Sequence, residues 1–398
     1  MIKTDEVIEG AMNKKELELY IHIPFCVRKC SYCDFLSAPA TEQTREAYMA
    51  ALFAEIGGRA KDYSDRTVTS IFIGGGTPSL LSGEQIGQLM DRIREQFAMA
   101  QDAEITMEVN PGTASAEKLR NFYTAGINRL SIGMQSAQAE ELKNLGRIHD
   151  FEGFCQVYRE AVEAGFTNIN VDIMSGLPGQ TLASYRDTLE KVLHLEPMPQ
   201  HISAYSLIVE EGTPFAAMAE RGELPLPEEE TERAMYEETI EVLAKYGFHR
   251  YEISNYARDG YECRHNVGYW IRRDYLGFGI GAASLIDNVR FQNEKSLGAY
   301  LAHPLESREE EQTLTVQDRM EETMFLGLRL TRGVSCVDFA EQYGRTVEEV
   351  YGEVIARNVA DGLLTVTERK ENQKKDRLLA LTKRGLDLSN YVMAQFLF

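Results

Sequence analysis

Three of the chain's six cysteines, Cys26, Cys30 and Cys33, fall within eight residues in the spacing CxxxCxxC, directly after the apolar alternating run Tyr20-Ile21-His22-Ile23. A strand that delivers three thiols to one loop leaves few choices for the chemistry of that loop. Soft thiolates select iron–sulfur clusters, zinc or copper, and gaps of three and two residues let one loop wrap its sulfurs around three corners of a cube. A closed structural zinc site takes four ligands in tetrahedral array, and no fourth Cys or His follows nearby. The spacing therefore predicts a cluster with one iron left open to an outside molecule. The alternatives are a three-cysteine zinc knuckle completed by a distant ligand, and a chance grouping of buried thiols.

With 398 residues the chain is long enough for two units or one large α/β barrel. Its 43% hydrophobic and 26% charged residues describe an ordinary globular protein. No apolar run reaches the ~18 residues of a membrane span, and the first twenty-odd positions carry charges where a secretory signal needs an apolar stretch. We expect a cytoplasmic, reducing location, where six cysteines mean metal or redox chemistry rather than a disulfide framework. A formal net charge of -20 disfavours nucleic acid as a general partner.

Along the chain, strand and helix alternate. Residues 41–61 read as a helix capped by Thr41, 83–97, 114–125 and 182–195 as further helices, and 68–73, 104–109, 129–133, 168–173 and 201–206 as strands. Short strands separated by helices form parallel βαβ units. With the cysteine-bearing strand they predict an incomplete, TIM-like (β/α)6 barrel of the α/β class, whose chemistry sits at the carboxyl ends of the strands. The cysteines, the triplet Gly74-Gly75-Gly76, Glu108, Gln135 and Asp172 all lie at or just past such ends. Residues 306–312 read as a charged linker, followed by a smaller α+β unit with helices at 337–343 and 347–361 and a strand at 363–367, like a winged helix. The expected division is an extension over 1–17, the barrel core over 18–210, a barrel extension over 211–305 and the C-terminal domain over 306–398.

A glycine triplet brings backbone close to a ligand and leaves carbonyls free to accept from an ammonium. Glu108 offers a carboxylate to the same ammonium or to a ribose, Asp172 can bind ribose hydroxyls, Gln135 is a neutral hydrogen-bonding group, and Arg147 can grip a carboxylate in fork geometry. Singly, each is more often a structural residue than a ligand contact.

Together, Tyr20–Phe35, Gly74–Pro78, Glu108-Val109-Asn110-Pro111, Ile132–Ser136, Leu145-Gly146-Arg147 and Val171–Thr181 resemble the oxygen-independent coproporphyrinogen III oxidase (HemN-like) group of radical S-adenosylmethionine (SAM) proteins, from Tyr20 nearly to the C-terminus. The resemblance implies a radical SAM barrel with a 4Fe-4S cluster on Cys26, Cys30 and Cys33. It also implies SAM contacts from Tyr20, Tyr32, Gly75, Gly76, Thr77, Glu108, Gln135, Arg147 and Asp172, with looser correspondences at Ile208 and Ala283. In this superfamily electron input to the open iron cleaves SAM to a 5′-deoxyadenosyl radical.

The group divides into oxidases and heme chaperones. The oxidases carry another cysteine two residues past the third cluster cysteine and a longer segment before the motif; here Phe35 stands at that position and 25 residues precede Cys26. His265-Asn266-Val267-Gly268-Tyr269-Trp270 resembles the HNxxYW motif of the chaperone branch, which implies heme binding through His265. An imidazole is a good axial ligand for heme iron, yet a His beside Trp and Tyr is also a common core residue. Cys263, two residues before His265, is a second candidate iron ligand; Cys155 and Cys336 read as ordinary thiols, His22 as structural, and His149 as orienting Arg147. The expectation is a heme chaperone that delivers heme to apo-hemoproteins such as respiratory cytochromes, with a homodimer and peripheral membrane association implied by the same resemblance. The rivals are coproporphyrinogen III oxidation, another radical SAM reaction, and a DNA-binding C-terminal unit.

Overall fold

The computed structural model describes residues 15–306, 308–371 and 374–397. Six strands, β1 (Lys15–Ile23), β2 (Arg66–Gly75), β3 (Ala98–Val109), β4 (Arg129–Gln135), β5 (Ile169–Ser175) and β6 (His201–Ser206), lie side by side in chain order with every neighbouring pair parallel. Between them run α1 (Glu42–Arg59), α2 (Gly83–Gln96), α3 (Ala116–Thr124), α4 (Ala139–Leu145), α5 (Phe151–Ala164) and α6 (Leu182–Leu193). The predicted (β/α)6 barrel is what forms. Local chemistry sets its helix starts: the Thr41 hydroxyl accepts from the Thr44 amide at the head of α1, and Ser82 and Gln85 make a reciprocal capping box on α2. Through residue 14 the expected extension lies outside the described residues, and Lys15–Leu17 already belong to β1.

After α7 (Pro214–Glu220) and α8 (Glu229–Lys245), β7 (His249–Arg250) and β8 (Asn255–Ala257) add antiparallel strands beyond β6. A short helix, α9 (Arg264–Trp270), leads to β9 (Tyr275–Phe278), which pairs parallel with β1. β10 (Ala283–Ile286) and β11 (Val289–Asn293) continue antiparallel, α10 (Leu297–Ala302) follows, and β12 (Arg308–Thr313) closes that edge. The run expected to be a linker is thus mostly a strand of the barrel sheet. Its six side chains are all exposed, so it shows no alternation to read; pairing with β11 makes it a strand, and Arg308 also donates to the Tyr63 hydroxyl (2.6 Å). Charges on such an edge also oppose pairing with another chain.

The C-terminal unit contains α11 (Val316–Gly327), β13 (Val334–Ser335), α12 (Cys336–Tyr343), α13 (Val347–Ala360), β14 (Leu364–Glu371) and β15 (Lys374–Leu381), with a three-stranded antiparallel sheet ordered β13-β15-β14 and its own core around Met324, Phe339, Tyr351 and Phe396. Glu322 on α11 joins it to the barrel through buried Arg272 (2.8 Å) and half-buried Arg290 (2.7 Å). Among the described residues no helix is long and apolar enough to cross a membrane.

The two faces of the barrel strands differ in kind. Leu17, Leu19, Ile21 and Ile23 of β1, with Leu130, Ile132 and Met134 of β4, enter the apolar core shared with the helices. The intervening residues are largely polar: Glu18, Tyr20 and His22 on β1; Ser70 on β2; Glu104, Thr106 and Glu108 on β3; Arg129 and Ser131 on β4; Asn170 and Asp172 on β5; His201 and Ser203 on β6. A barrel that exists only to fold fills its interior with branched apolar side chains. This interior is built to hold polar groups.

Candidate functional site

The cysteine loop is tied down at both ends. The Cys26 amide donates to the Ala38 carbonyl (3.2 Å), the Ser31 amide to Leu145 (3.0 Å), and the Arg28 guanidinium to the Gly146 carbonyl (2.6 Å). Tyr32 packs into a small apolar cluster with Leu145, Met174, Leu177 and Phe215. The Thr77 hydroxyl donates to Cys26 Sγ (3.4 Å), and Arg147 brings its charge 3.9 Å from Cys30 Sγ. Burial pushes the Cys33 thiol up. The three half-buried cysteines border one cavity of about 140 Å³. Among the described residues no group of three His, Cys, Asp or Glu side chains is gathered as for a single metal ion.

The glycine triplet serves this loop directly. A Cβ at Gly76 would stand 2.7 and 2.8 Å from the backbone oxygen and nitrogen of Phe25, and the Gly76 amide donates to the Ile23 carbonyl (2.8 Å). Gly75 has φ +109° and leaves no room for a Cβ beside the His22 ring. Gly76→Ala is expected to lower stability by about 1–3 kcal/mol, because the colliding atoms are backbone and cannot swing away. Thermal denaturation against Gly87→Ala, where a Cβ meets nothing within 4 Å, is the check.

Opposite the cysteines stands a set of polar groups from three strands, β3, β4 and β5, and from Arg147 just after α4. Glu108 Oε2 accepts from the Gly75 amide (3.1 Å); burial, then the charge of Asp172, push its carboxyl up to about 8. Asp172 accepts from Ser131 (3.2 Å) and Asn170 (2.6 Å), and burial raises it as well. Gln135 follows a register irregularity in β4 and takes φ +70°, a conformation most side chains avoid. Arg147 donates to the Gly133 carbonyl (2.6 Å) and buries an Nε with no partner. Gly133 has no side chain to keep Gln135, Arg147 and Asp172 apart. Two buried carboxyls, both raised by burial, suit a cation, and a guanidinium with an unpartnered Nε suits an anion. An amino acid moiety carries both charges, so the residues present fit the amine and carboxylate of SAM.

Comparison with known proteins agrees with this geometry. The profile of the Radical SAM superfamily matches residues 20–192, and that of the HemN C-terminal domain matches 314–388. Heme chaperone HemW of Bacillus subtilis (strain 168) is 38% identical over 385 residues, covering 95% of this chain and 98% of that protein. Heme chaperone HemW of Escherichia coli (strain K12) is 37% identical, covering 85% and 89%. The chain belongs to the HemW family of radical SAM proteins. Among solved structures, E. coli coproporphyrinogen III oxidase HemN, a radical SAM enzyme, superposes with a TM-score of 0.83 at 28% identity, covering 96% of this chain and 90% of that one.

Of the SAM contacts expected for a HemW-family chain, Tyr32, Gly75, Gly76, Thr77, Glu108, Gln135, Arg147 and Asp172 line the three-cysteine cavity. Tyr20 and Ala283 face a neighbouring cavity of about 560 Å³ that also reaches Gly75 and Glu108. Ile208 lies at a third, of about 350 Å³, which runs down the barrel interior. His149 does not orient Arg147; its Nε2 faces the Met134 carbonyl at 3.2 Å. His22 bridges the Tyr20 hydroxyl (3.0 Å) and the Leu36 carbonyl (2.9 Å).

The HNxxYW helix of this HemW-family member is seated on the amino-terminal part of the strands. Glu104 accepts from the amides of Arg264 (3.1 Å) and His265 (3.2 Å) at the head of α9, and Gly268 packs against the Glu18 carboxylate. His265 is 1% exposed, with Nδ1 2.9 Å from the Ser70 hydroxyl, Nε2 3.0 Å from the Tyr269 hydroxyl, and its ring stacked on Phe72. Burial, with Arg129 and Arg273 nearby, lowers its pKa to about 3. Both nitrogens are engaged, so in this conformation His265 presents no free lone pair to iron. Cys263 is fully buried against Glu104 (3.5 Å), and burial pushes its thiol up to about 12. Trp270 lies under the Arg329 guanidinium, 4.2 Å from the ring centre.

Sequence reasoning missed Arg28, Ser131 and Arg129. The signal for the last two was present: on β4, Arg129, Ser131 and Gly133 alternate with Leu130, Ile132 and Met134, and a polar face on a buried strand faces a site.

Proposed function

We propose that this chain is a heme carrier that binds heme and hands it to apo-hemoproteins, respiratory cytochromes first among them, on a barrel that also holds a 4Fe-4S cluster and SAM. The observation that carries the reading is the near full-length likeness to proteins named heme chaperones. Cys26, Cys30 and Cys33 hold the cluster in this reading. Glu108 accepts the SAM ammonium, Arg147 grips its carboxylate, and Asp172 and Gln135 meet the nucleoside, with Tyr20, Ile208 and Ala283 at the periphery. A 4Fe-4S cluster held on Cys26, Cys30 and Cys33 would supply the one-electron chemistry for reductive cleavage of SAM.

The cavity beside α9, about 560 Å³, is lined by Tyr20, Tyr269, Trp270 and Leu285. That size suits a small-molecule site, roughly 300–1,000 Å³, and its flat aromatic walls suit a macrocycle. Ligation by His265 asks the Tyr269 hydroxyl to leave Nε2, while Ser70 keeps Nδ1 and orients the ring, the usual duty of a group behind a ligating imidazole. A homodimer and peripheral membrane association belong to the same proposal, and a net charge of -20 opposes nucleic acid as a partner.

The test is an anaerobic hemin titration of cluster-reconstituted protein, followed at the Soret band. Wild type is expected to saturate at about one heme per chain, and His265→Ala to bind about tenfold or more weakly, the loss of one good metal ligand. Saturation unchanged in the variant removes His265; absence of binding removes the carrier. The likeness to HemN favours a second reading, anaerobic oxidation of coproporphyrinogen III, which turnover of that substrate would establish. Phe35 stands against it.

A further inference from the structure

A buried carboxyl group stands behind His265. Glu18 of β1 is 0% exposed, and its Oε2 has no hydrogen-bond partner. That oxygen lies 3.9 Å from His265 Nδ1, while Oε1 meets Arg273 at 3.3 Å. Taking a carboxyl group out of water and leaving one oxygen unpaired costs free energy that an apolar residue would not. The HNxxYW helix nevertheless makes room for it: Gly268 packs on this group, and any side chain there would collide with it. The other acid at this end of the barrel, Glu104, is engaged by the first amides of α9.

Ser70 touches both partners. Its hydroxyl is 2.9 Å from Nδ1. Burial pushes the Glu18 carboxyl up to about 8, and Arg273 and then the Ser70 hydroxyl work against that shift. A neutral imidazole carries one N–H. With iron on Nε2 that proton sits on Nδ1, so Ser70 accepts from it and turns its own O–H toward another acceptor. The unpaired acceptor beside it is Glu18 Oε2. Positive charge also crowds the ring. Arg129 is 2% exposed, reaches only the Thr106 hydroxyl (3.5 Å) and pairs with no carboxylate among the described residues, and with Arg273 it disfavours a charge on His265. A ligating imidazole is a stronger donor when its other N–H is received by a carboxylate.

We infer that Glu18 is a positioning residue for heme ligation, acting through Ser70 to hold the His265 proton on Nδ1 and to strengthen Nε2 as a donor to iron. The inference rests on the carrier reading in one point, that His265 takes heme iron. Glu18 itself is not among the walls of the cavity beside α9.

The test uses the full, cluster-reconstituted chain loaded with heme, and reads the heme reduction midpoint at the Soret band beside the anaerobic hemin affinity. Glu18→Gln keeps the size of the side chain and removes the carboxylate; Ser70→Ala removes the relay. Each is expected to raise the midpoint, because a weaker donor stabilises ferric heme less, and to weaken hemin binding about tenfold, as the loss of a group behind a metal ligand does. The two act in series, so the double variant is expected to go no further than Ser70→Ala alone. A Glu18 that only supports the fold would leave the midpoint where it is, and that result overturns the inference. Shifts that add in the double variant overturn it too, since Glu18 would then act as a bare charge through space. Where Glu18→Gln fails to fold, Ser70→Ala decides, and a midpoint equal to wild type defeats the relay. Hemin binding that is absent, or unchanged in His265→Ala, removes the ligand itself; that failure belongs to the carrier reading, is read before any Glu18 variant is made, and takes this inference with it.

Discussion

Replacing Cys30 with alanine is expected to take the reconstituted protein from about four irons per chain to near none, and SAM binding with it. The loop that holds Cys26, Cys30 and Cys33 is fixed by backbone hydrogen bonds to Ala38 and Leu145 and by Arg28 on Gly146. It therefore keeps its course without the thiol, and the loss falls on the cluster rather than on the fold. Arg147 stands 3.9 Å from Cys30 Sγ, and an alanine supplies no sulfur there. Iron and acid-labile sulfide per chain, read beside the thermal midpoint, check the result. Cys155→Ala is the control, because Cys155 is half-buried outside the cavity. Full cluster content in Cys30→Ala would mean that Cys30 is not a cluster ligand.

Glu108→Gln is expected to weaken SAM binding roughly ten- to a hundredfold, since the lost partner is a charged hydrogen bond of about 1.5–3 kcal/mol. The pH dependence makes this sharper. In the ligand-free protein the Glu108 carboxyl is raised from its ordinary 4.5 to about 8, mainly by burial. The sign comes from linkage. A carboxyl whose folded pKa lies above its unfolded one contributes stability that is fully present below the unfolded value, and that is lost as pH rises toward and through 8. An ammonium seated on Glu108 favours the ionised form, so at pH 7 binding expels about one proton, and SAM affinity rises with pH until Glu108 is ionised before binding. Calorimetry in buffers of different ionisation enthalpy measures the release. Wild type is expected to show it and Glu108→Gln to lack it. Equal release from both would mean that another group, Asp172 first, receives the ammonium.

Much of the barrel was legible because its signals are local. Thr41 and the apolar positions after it announced α1, and six β-branched or alternating runs announced the parallel strands. The element borders moved by a few residues. The larger errors came where neighbours in sequence carry no information. Arg308–Thr313 has six exposed side chains and no alternation, so only its pairing with β11 makes it a strand. Arg129 belongs to a polar odd-numbered face that the sequence shows, but that this face turns inward is known only once β4 is placed.

His265 shows the same limit from the other side. Its motif was readable, but whether its nitrogens were free depended on Ser70, 195 positions away, and on the turn of α9 that brings Tyr269 over Nε2. The seating of that helix depends in turn on Glu104, 161 positions from His265, and on Glu18 beneath Gly268.

The sequence by itself determined the thiol loop, the βα rhythm and the identity of the polar residues at strand ends, because each rests on spacing within one turn, strand or loop. Only the tertiary structure decided which of those residues share a cavity, that Gly76 exists for the backbone of Phe25, and that Arg129 is buried without an ion-pair partner. Those facts come from register and stagger between strands. A shift of one residue in β4 would turn Arg129 to the helices and Leu130 to the cavity, and no stretch of the chain taken alone specifies that choice.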